Sequence, residues 1–523
     1  MPHATLERRH DPAYRLNAFE HLLGAAALAR HGERIALICG DQSITYTALA
    51  EAARRASAAL FAEGVRPGDR VLLLMRDSAE MAAAWLGTVR LGAVAVALNT
   101  KLSEAEYRHI LHDSAAKLAI IEDVFALARP DLTRELAEER RLLVSGSDGL
   151  GIPRWQDALA RAGDVPPFAA QPDSPAFLLY SSGTTGRPKG MVHRHASIQL
   201  AGAAFPLLGI GVGDTVFTTS KVFFAYGLEH GLLAPLGCGA STILSAEWPT
   251  AKTVTETVER HAPQALFSVP TIYRRLLAEE PRHLGSFRSV RRFVSAGEHL
   301  SRQLVDQWRA STGAELLNLY GMSETFCAAL LTPPGTSDGS RTGRPLEGVQ
   351  LRVEASPAEE ANDAQGVLWI KHPAQVEGYL NLPERTAEQF REGWFCTRDV
   401  FGRDPEGHYV YRGRADDFVK IAGQWVQPAE LEEAVAGLPE VAEAACVALP
   451  DSDGLDRLAL FVSARGDAAS ALSAACAACE KALPRHKRPK WMRVVEQLPR
   501  TATGKVQRFK LRELLQSELS GKR

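Results

Sequence analysis

The chain has 523 residues, of which 46% are hydrophobic and 23% charged, and its formal net charge is −2. This length exceeds what a single hydrophobic core supports, so we expect at least two domains. The near-neutral charge excludes a general attraction to nucleic acid or to anionic membranes, and any anionic ligand must be bound by local cations. No apolar stretch approaches the roughly 18 residues of a membrane span, and the N-terminal segment lacks the apolar region of a signal peptide. Together with an odd count of seven cysteines, these features favour a cytoplasmic protein.

Short apolar runs alternate with amphipathic stretches through the first four hundred residues. The earliest set predicts a βαβ unit with parallel strands, and a second series of strands and helices follows it. The expected fold class is therefore α/β, with layered subdomains in a large N-terminal domain. The predicted strands are 70–75, 93–98, 215–217, 241–244, 265–269 and 292–295, and the predicted helices are 79–89, 254–261 and 271–278.

Past Gly343 the pattern changes to short strands separated by turns, which predicts a small antiparallel or barrel-like piece. Helices and strands mix again after residue 413 and indicate a small α+β domain, so we place one domain at 1–413 and another at 414–523. Cys476 and Cys479 have the spacing of a redox or zinc motif, but no second Cys or His pair accompanies them and we interpret them as core residues. The strands expected here are 349–353, 366–370, 408–411, 444–448 and 459–463, and the helices are 430–436 and 467–483.

The most informative segment is residues 180–190, which follow a short apolar strand at 176–179 and read YSSGTTGRPKG. Glycine lets the backbone approach a bulky anion, and backbone N–H groups, hydroxyls and a lysine can then surround phosphate oxygens. The Walker A pattern requires Ser or Thr directly after the lysine. Lys189 is instead preceded by proline and followed by glycine, so this is a different phosphate loop.

This loop closely resembles the signature loop of the adenylate-forming (ANL) superfamily, which includes acyl- and aryl-CoA synthetases, luciferases and peptide-synthetase adenylation domains. The resemblance implies an ATP- and Mg²⁺-dependent ligase. The loop residues that it assigns to ATP are Ser181, Ser182, Gly183, Thr184, Thr185 and Lys189.

Two further segments match the family in order along the chain. In NLYGMSET at 318–325, an acid and a hydroxyl at a strand end suit Mg²⁺ and phosphate oxygens. The resemblance implies that Tyr320 stacks on adenine and that Glu324 acts near the metal, in a catalytic role. It also implies that SAGE at 295–298 flanks the adenine and the acyl pocket. The nucleotide-contacting residues expected here are Gly297, Glu298, Tyr320, Gly321 and Ser323.

Three more motifs complete the resemblance. In WFCTRD at 394–399, Asp399 would bind the ribose hydroxyls, although Arg398 replaces the usual glycine and puts the local turn in doubt. YRGRADDFVK at 411–420 matches the family's domain junction. The resemblance implies that Arg414 contacts ribose or phosphate and that Asp416 is the hinge of a mobile C-terminal domain.

Lys505, in the segment LPRTATGKV at 498–506, corresponds to the family's catalytic lysine. A carboxylate that attacks an α-phosphate brings two anions together, and a cation offsets that repulsion in the transition state. Gly423 matches the glycine past which pantetheine enters. Rotation of the C-terminal domain would exchange the Lys505 loop for the Gly423 face between two half-reactions.

Residues 221–228, KVFFAYGL, resemble the acid-binding segment of benzoate-type aryl-CoA ligases and lack the aspartate that amino-acid-activating domains usually carry. Phe224 matches the gate near the carboxylate, and Ala225 and Tyr226 would line an aryl slot; the alternative is that 223–228 is only a core strand. Ala296 and the corner at Cys327 and Ala328 would form the other wall. Benzoate ligases usually have bulkier residues at this corner, often histidine then isoleucine, so we expect a substituted benzoate, such as an amino- or hydroxybenzoate.

The expected partners are an aromatic acid, ATP and coenzyme A, with no nucleic acid and no membrane. The sequence leaves open a homodimer. Two other functions also stay open: a freestanding aryl-acid adenylation enzyme that loads a carrier protein, and a nucleotide-binding sensor without catalysis. The joint presence of Lys189, Glu324, Asp399, Arg414 and Lys505 argues against the sensor.

Overall fold

The computed structural model describes residues 16–147, 149–182, 187–354, 365–415, 419–421, 424–452, 454–500 and 506–520. The chain divides into two compact units. Unit 1 comprises Met1–Leu351 and Ile370–Phe395, and unit 2 comprises Arg352–Trp369 and Cys396–Arg523. The boundary predicted after residue 413 falls within unit 2, and the assignment of separate adenylation and mobile domains stays a prediction.

The helices and strands of the first two hundred residues begin with two short helices and end with an antiparallel strand pair and a short helix. Their bounds are α1 Ala18–Leu23, α2 Ala25–His31, β1 Ile35–Cys39, β2 Gln42–Thr45, α3 Tyr46–Ala62, β3 Arg70–Leu74, α4 Ala79–Arg90, β4 Val94–Ala97, α5 Glu104–Asp113, β5 Leu118–Glu122, α6 Asp123–Leu127, α7 Pro130–Glu138, β6 Leu142–Ser145, α8 Trp155–Arg161, β7 Pro175–Ser182, β8 Pro188–Arg194 and α9 His195–Gln199.

One sheet of unit 1 has six strands in the order β6-β5-β3-β4-β7-β8. The predicted βαβ unit is confirmed, because β3 and β4 pair in parallel on either side of α4 in sequence. Ser78 caps α4 by accepting a hydrogen bond from the Met81 N–H. The β7–β8 pair is antiparallel and carries the two ends of the predicted phosphate loop.

The next part of unit 1 contains a second α/β series, which includes a π-helix at Glu229–Leu233 and a 3₁₀-helix at Leu284–Ser289. The other bounds are α10 Phe205–Leu208, β9 Thr215–Thr218, α11 Ala225–Leu228, α12 Ala234–Cys238, β10 Ser241–Leu244, α13 Ala251–His261, β11 Ala265–Ser268, α14 Pro270–Glu279, β12 Arg292–Ser295, α15 Arg302–Thr312, β13 Leu316–Tyr320, β14 Leu330–Leu331 and β15 Arg344–Pro345.

These strands form a nine-stranded sheet in the order β15-β14-β13-β12-β11-β9-β10-β1-β2. The four strands predicted between residues 215 and 295 are β9 to β12, and all of their pairings are parallel. The carboxyl ends of β11, β12 and β13 therefore lie at one edge, where Ser268, Ser295 and Tyr320 are the last residues. In open α/β sheets this edge is where ligands bind.

The later segments contain a five-stranded sheet, in which β16, β17, β19 and β18 are consecutive neighbours and β20 pairs with β19, followed by the strands and helices of a small α+β region. The bounds are β16 Gln350–Glu354, β17 Gln365–Lys371, α16 Pro383–Gln389, β18 Phe390–Arg391, β19 Trp394–Arg403, β20 Tyr409–Arg414, β21 Val419–Ile421, β22 Gln424–Val426, α17 Pro428–Val435, β23 Val441–Pro450, β24 Asp456–Ala464, α18 Ala468–Ala482, a 3₁₀-helix Arg485–Lys487, β25 Trp491–Val495 and α19 Arg508–Ser520.

The α+β part of unit 2 has a three-stranded sheet, β23-β24-β25, and a separate β21–β22 hairpin. Cys479 is buried in an apolar cluster with residues of α17, β23 and β24, whereas Cys476 is exposed, and both are free thiols. The core interpretation of this cysteine pair therefore holds for Cys479 and is wrong for Cys476, since Cys476 lies on the solvent side of α18. Among the helices that the structure describes, none combines the length and hydropathy needed to cross a bilayer.

Candidate active site

Lys189 and Glu324 come together in unit 1, beside the phosphate loop. Lys189 is in β8, opposite Ser181 of β7 in the antiparallel register. Its ammonium Nζ lies 3.8 Å from Glu324 Oε1, and the two side chains are only 14% and 9% exposed. Because both side chains are largely shielded from water, their charges would act strongly on neighbouring groups and on an anion that binds there.

Tyr379 joins this pair and was not identified from the sequence. Its hydroxyl lies 2.8 Å from Glu324 Oε1 and 2.6 Å from Gln389 Oε1. Lys189 Nζ lies 4.2 Å from the centre of the tyrosine ring, in the geometry of a cation–π contact. No local signal distinguishes Tyr379 from a core aromatic residue, because its partner Glu324 is 55 residues away in the sequence.

Backbone hydrogen bonds fix the position of residues 376–380, the segment that contains Tyr379. Val376 N–H donates to the carbonyl of Glu324 (3.0 Å), and Leu380 N–H donates to the carbonyl of Gly190 (2.8 Å). A Cβ added to Gly190 would lie 3.2 Å from Leu380 Cβ, so the backbone at Gly190 packs closely against Leu380. The segment therefore connects β8 with the turn that carries Glu324.

The residues predicted to contact the adenine lie at the carboxyl ends of β12 and β13. Gly297 has φ +84°, a left-handed conformation that favours glycine. Glu298 Oε2 accepts hydrogen bonds from the hydroxyl (2.7 Å) and the N–H (3.2 Å) of Thr271. Tyr320 is the last residue of β13, and Ser323 follows in the turn before Glu324.

The turn after Tyr320 leads directly to the predicted acid-binding corner. A Cβ added to Gly321 would lie 3.2 Å from Ala328 Cα, so glycine permits a close approach of the two backbone segments. Phe326 has φ +58°, a conformation that costs free energy for a bulky residue. Cys327 and Ala328 follow this turn. Their side chains are buried, and their backbone atoms pack against Gly321.

Residues 225–228 of the predicted aryl wall form helix α11, so the strand expected under the alternative interpretation is wrong, and the role in binding the acid stays a prediction. Phe224 is the N-terminal capping residue of α11, and its N–H donates to the carbonyl of Lys221 (2.9 Å). The hydroxyl of Tyr226 donates to the carbonyl of Val294 in β12 (3.2 Å). Tyr226 therefore reaches from α11 to the strand that precedes Ala296.

The six residues predicted to bind the acid fall in two apolar clusters. Ala296 and Ala328 are buried in one cluster, and Tyr226 packs against it. Cys327 is buried in the other, against which Phe224 and Ala225 pack. Each cluster therefore contains three of the six residues, which come from separate segments of the chain.

Glu229 is a buried carboxyl behind this corner that was not identified from the sequence. It is 2% exposed, and it accepts hydrogen bonds from the N–H groups of Ala328 (3.1 Å) and Gly202 (3.3 Å). Burial raises the pKa of Glu229 to about 8, an effect that the two N–H donors partly oppose. The local signal was weak, since a Glu-His pair at the end of a helix is also typical of an exposed surface.

Asp399 and Arg414 form a pair within unit 2. They are directly opposite each other in the β19–β20 register, and an Arg414 guanidinium nitrogen lies 3.0 Å from Asp399 Oδ1. Arg398, at the position of the usual family glycine, has φ +56°. The chain therefore keeps the left-handed turn that a glycine would adopt without strain.

Several predicted site residues fall outside the part of the chain that the structure describes. Their roles stay predictions from the sequence. They are Gly183, Thr184, Thr185, Asp416, Gly423 and Lys505, together with the side chain of Ser182.

Two family models match this chain. The model of the AMP-binding enzyme matches residues 25–380, and that of the AMP-binding enzyme C-terminal domain matches residues 430–505.

Relatives with similar sequences and structures span nearly the whole chain. A 3-hydroxybenzoate–CoA/4-hydroxybenzoate–CoA ligase from Thauera aromatica is 39% identical over 520 residues, which cover 97% of this chain and 99% of the relative. The crystal structure of the anthranilate CoA ligase AuaEII with anthranoyl-AMP has a TM-score of 0.89 at 30% identity, and covers 96% of this chain and 98% of its own. A benzoate CoA ligase from Burkholderia xenovorans LB400 has a TM-score of 0.86 at 34% identity, with coverage of 95% and 99%.

Proposed function

This chain belongs to the AMP-binding enzyme family, and on that premise we propose that it is an ATP-dependent aryl-CoA ligase. It converts an aromatic carboxylate, ATP and CoA into aryl-CoA, AMP and pyrophosphate. The acid is a substituted benzoate that carries an amino or hydroxy group.

The approach of Lys189 to Glu324 is the observation that carries this proposal. A partly buried ammonium 3.8 Å from a carboxylate, on the strand that follows a Gly-, Ser- and Thr-rich loop, is suited to polyphosphate binding. The Lys189 ammonium contacts the β- and γ-phosphates, which leave as pyrophosphate. Glu324 offers the hard oxygen ligand that Mg²⁺ prefers, and the bound ion would neutralise phosphate charge.

In the first half-reaction, a carboxylate oxygen of the acid attacks the α-phosphorus of ATP. A new oxygen–phosphorus bond forms, and the bond from the α-phosphorus to pyrophosphate breaks. Lys505 lowers the repulsion between the two anions in the transition state. In the second half-reaction, the CoA sulfur attacks the acyl carbon and a carbon–sulfur bond forms. The bond from the acyl carbon to the phosphate oxygen of AMP breaks, AMP leaves, and the thiol proton passes to water.

The choice of acid is supported by the corner at Cys327 and Ala328. The side chains there are small, and residues 220–228 contain no aspartate that could bind an α-amino group. The relatives described above include ligases of hydroxybenzoate and anthranilate. These observations favour a pocket that binds a flat acid and has room for one substituent on its ring.

Release of pyrophosphate from ATP, measured across a panel of aryl acids with and without CoA, tests the proposal. We expect release with amino- or hydroxybenzoates, and formation of the aryl thioester only when CoA is present. Adenylation followed by transfer to a carrier protein but never to CoA would identify the carrier-loading alternative. ATP binding without pyrophosphate release for any acid would identify a sensor.

A further inference from the structure

His230 is a buried imidazole enclosed by aromatic rings. It lies in the π-helix that follows α11, and its side chain is 0% exposed. Its ring centre lies 4.7 Å from that of Phe267, 5.1 Å from that of Tyr226 and 6.0 Å from that of Phe205. Single-turn π-helical segments occur frequently at functional sites.

The hydrogen bonds of His230 define which ring nitrogen carries the proton. Nδ1 lies 3.3 Å from the carbonyl oxygen of Tyr226 and 3.5 Å from Glu229 Oε2. Because a carbonyl oxygen can only accept, Nδ1 is the donor. Burial lowers the pKa of His230 to about 3, so the ring is neutral. Nε2 therefore presents a lone pair.

That lone pair lacks a donor among the residues that the structure describes. A buried acceptor without a partner is costly, and native structures usually satisfy such groups by a protein donor, a water molecule or a ligand.

The rings around His230 belong to the same apolar cluster as two residues of the predicted acid pocket. Phe205 and Phe267, which flank the imidazole, are buried in one apolar cluster with Ala296 and Ala328. Tyr226, the third ring around His230, packs against this cluster. The neighbouring Glu229 accepts a hydrogen bond from the N–H of Ala328. Two independent contacts thus connect the Glu229–His230 pair to residues predicted to surround the aryl ring.

We propose that Nε2 of His230 accepts a hydrogen bond from a donor group on the aromatic ring of the acid, either a phenolic O–H or an aromatic amine N–H. This inference rests on the proposed function and adds the basis of its selectivity. The site favours substituents that donate a hydrogen bond over methoxy or fluoro groups at the same ring position, which cannot donate. A pocket that hydrogen-bonds a substrate hydroxyl discriminates strongly against an analogue that lacks it, because its own polar group is then unpaired.

The first test uses the unmodified protein. The kcat/KM of aryl-CoA formation is measured for benzoate and for its hydroxy, amino, methoxy and fluoro derivatives at the ortho, meta and para positions. At one ring position, we expect the hydroxy or amino acid to exceed the methoxy and fluoro acids by at least about 10-fold. Equal values for donating and non-donating substituents at every position would overturn the proposal.

The second test uses two variants. His230→Phe removes the acceptor and keeps an aromatic ring, and we expect it to lower kcat/KM for the preferred acid about 10- to 100-fold while that for benzoate changes less than about 3-fold. His230→Gln retains an acceptor and should recover part of the preference. An equal loss for all acids would assign His230 a structural role, with a water molecule at Nε2, and would refute the inference.

The two proposals fail in different ways. If no aryl acid supports pyrophosphate release, the ligase function itself is wrong. If benzoates are activated without a preference for donor groups, only the role of His230 is wrong. Should His230→Phe fail to fold, as judged by its thermal unfolding, the absence of a donor preference in the unmodified protein still overturns the inference, and a changed preference in His230→Gln still supports it.

Discussion

The hydroxyl of Tyr379 lies 2.8 Å from Glu324 Oε1, and this contact orients the carboxylate toward Lys189. A tyrosine hydroxyl has one proton, so it can donate to only one acceptor at a time. The carboxylate is the stronger acceptor because a hydrogen bond to a charged group is stronger than one to a neutral amide. Tyr379 therefore acts as a positioning residue for the proposed magnesium ligand.

Tyr379→Phe tests this role. The ring under Lys189 is retained and one hydrogen bond to Glu324 is lost, so we expect the rate of pyrophosphate release to fall about 10-fold. The apparent affinity for Mg²⁺, measured by varying the metal concentration, should weaken as well. The matched control is Tyr107→Phe, which removes a buried hydroxyl hydrogen bond to the carbonyl of Asn99 (2.7 Å) and should leave both quantities unchanged. Equal effects of the two variants would show that Tyr379 is only a core residue.

Glu229 predicts a pH dependence of stability. Its pKa is raised from 4.5 to about 8 in the folded chain, so the folded state keeps a proton that the unfolded state releases above about pH 4.5. The free energy of unfolding therefore falls as pH rises between these values, with a slope of up to about 1.4 kcal/mol per pH unit from this group. Below this range both states are protonated and the contribution is constant.

Glu229→Gln removes this titration while keeping the side-chain volume. Urea unfolding between pH 5.5 and pH 8 should show a shallower loss of stability for the variant than for the unmodified protein. The same slope in both proteins would contradict the assignment of a buried, protonated carboxyl to Glu229.

Gly227 is predicted to be essential to the aryl wall. A Cβ added there would lie 2.1 Å from the carbonyl oxygen of Lys221 and 2.6 Å from that of Ser220. Since both are backbone atoms, α11 must shift, and Gly227→Ala should lower the free energy of unfolding by about 1–3 kcal/mol. The KM for the acid should rise because Phe224 and Tyr226 move with the helix. Gly211→Ala is the control, since a Cβ at Gly211 meets no atom within 4 Å; a similar loss in both variants would count against the packing argument.

Lys505→Ala separates the two half-reactions. We expect formation of the aryl adenylate from acid and ATP to fall at least about 100-fold, because a cation that stabilises the transition state is lost. Conversion of a synthetic aryl adenylate and CoA into the thioester should persist. The assignment is wrong if the variant releases pyrophosphate at the normal rate.

Local sequence patterns predicted much of the fold. The βαβ unit around α4 and the strands β9 to β12 followed from apolar periodicity, which depends only on neighbouring residues. Lys189 and Glu324 were identified because each lies in a motif with a recognisable chemistry. Their contact at 3.8 Å agrees with the shared site that the motifs implied.

The remaining site residues depend on tertiary packing. Tyr379, Glu229 and His230 acquire their roles from partners in other segments, and none of them has a neighbouring signal in the chain. A buried glutamate beside a histidine has the same local pattern as a solvated pair, and only burial and the N–H of Ala328 distinguish them. The helical conformation of residues 225–228 likewise could not be predicted from the sequence, because a short aromatic and apolar run is equally compatible with a strand.

The most direct test of the proposed ligase activity is the coupled measurement of pyrophosphate and thioester with ATP, CoA and single aryl acids. With a hydroxy- or aminobenzoate, the protein should release pyrophosphate from ATP and form aryl-CoA in equal amounts. Both products should form faster than they do with benzoate. Benzoate turnover equal to or faster than that of the ortho-, meta- and para-substituted acids would contradict the predicted substrate class. Absence of any thioester from all aryl acids would contradict the ligase assignment itself.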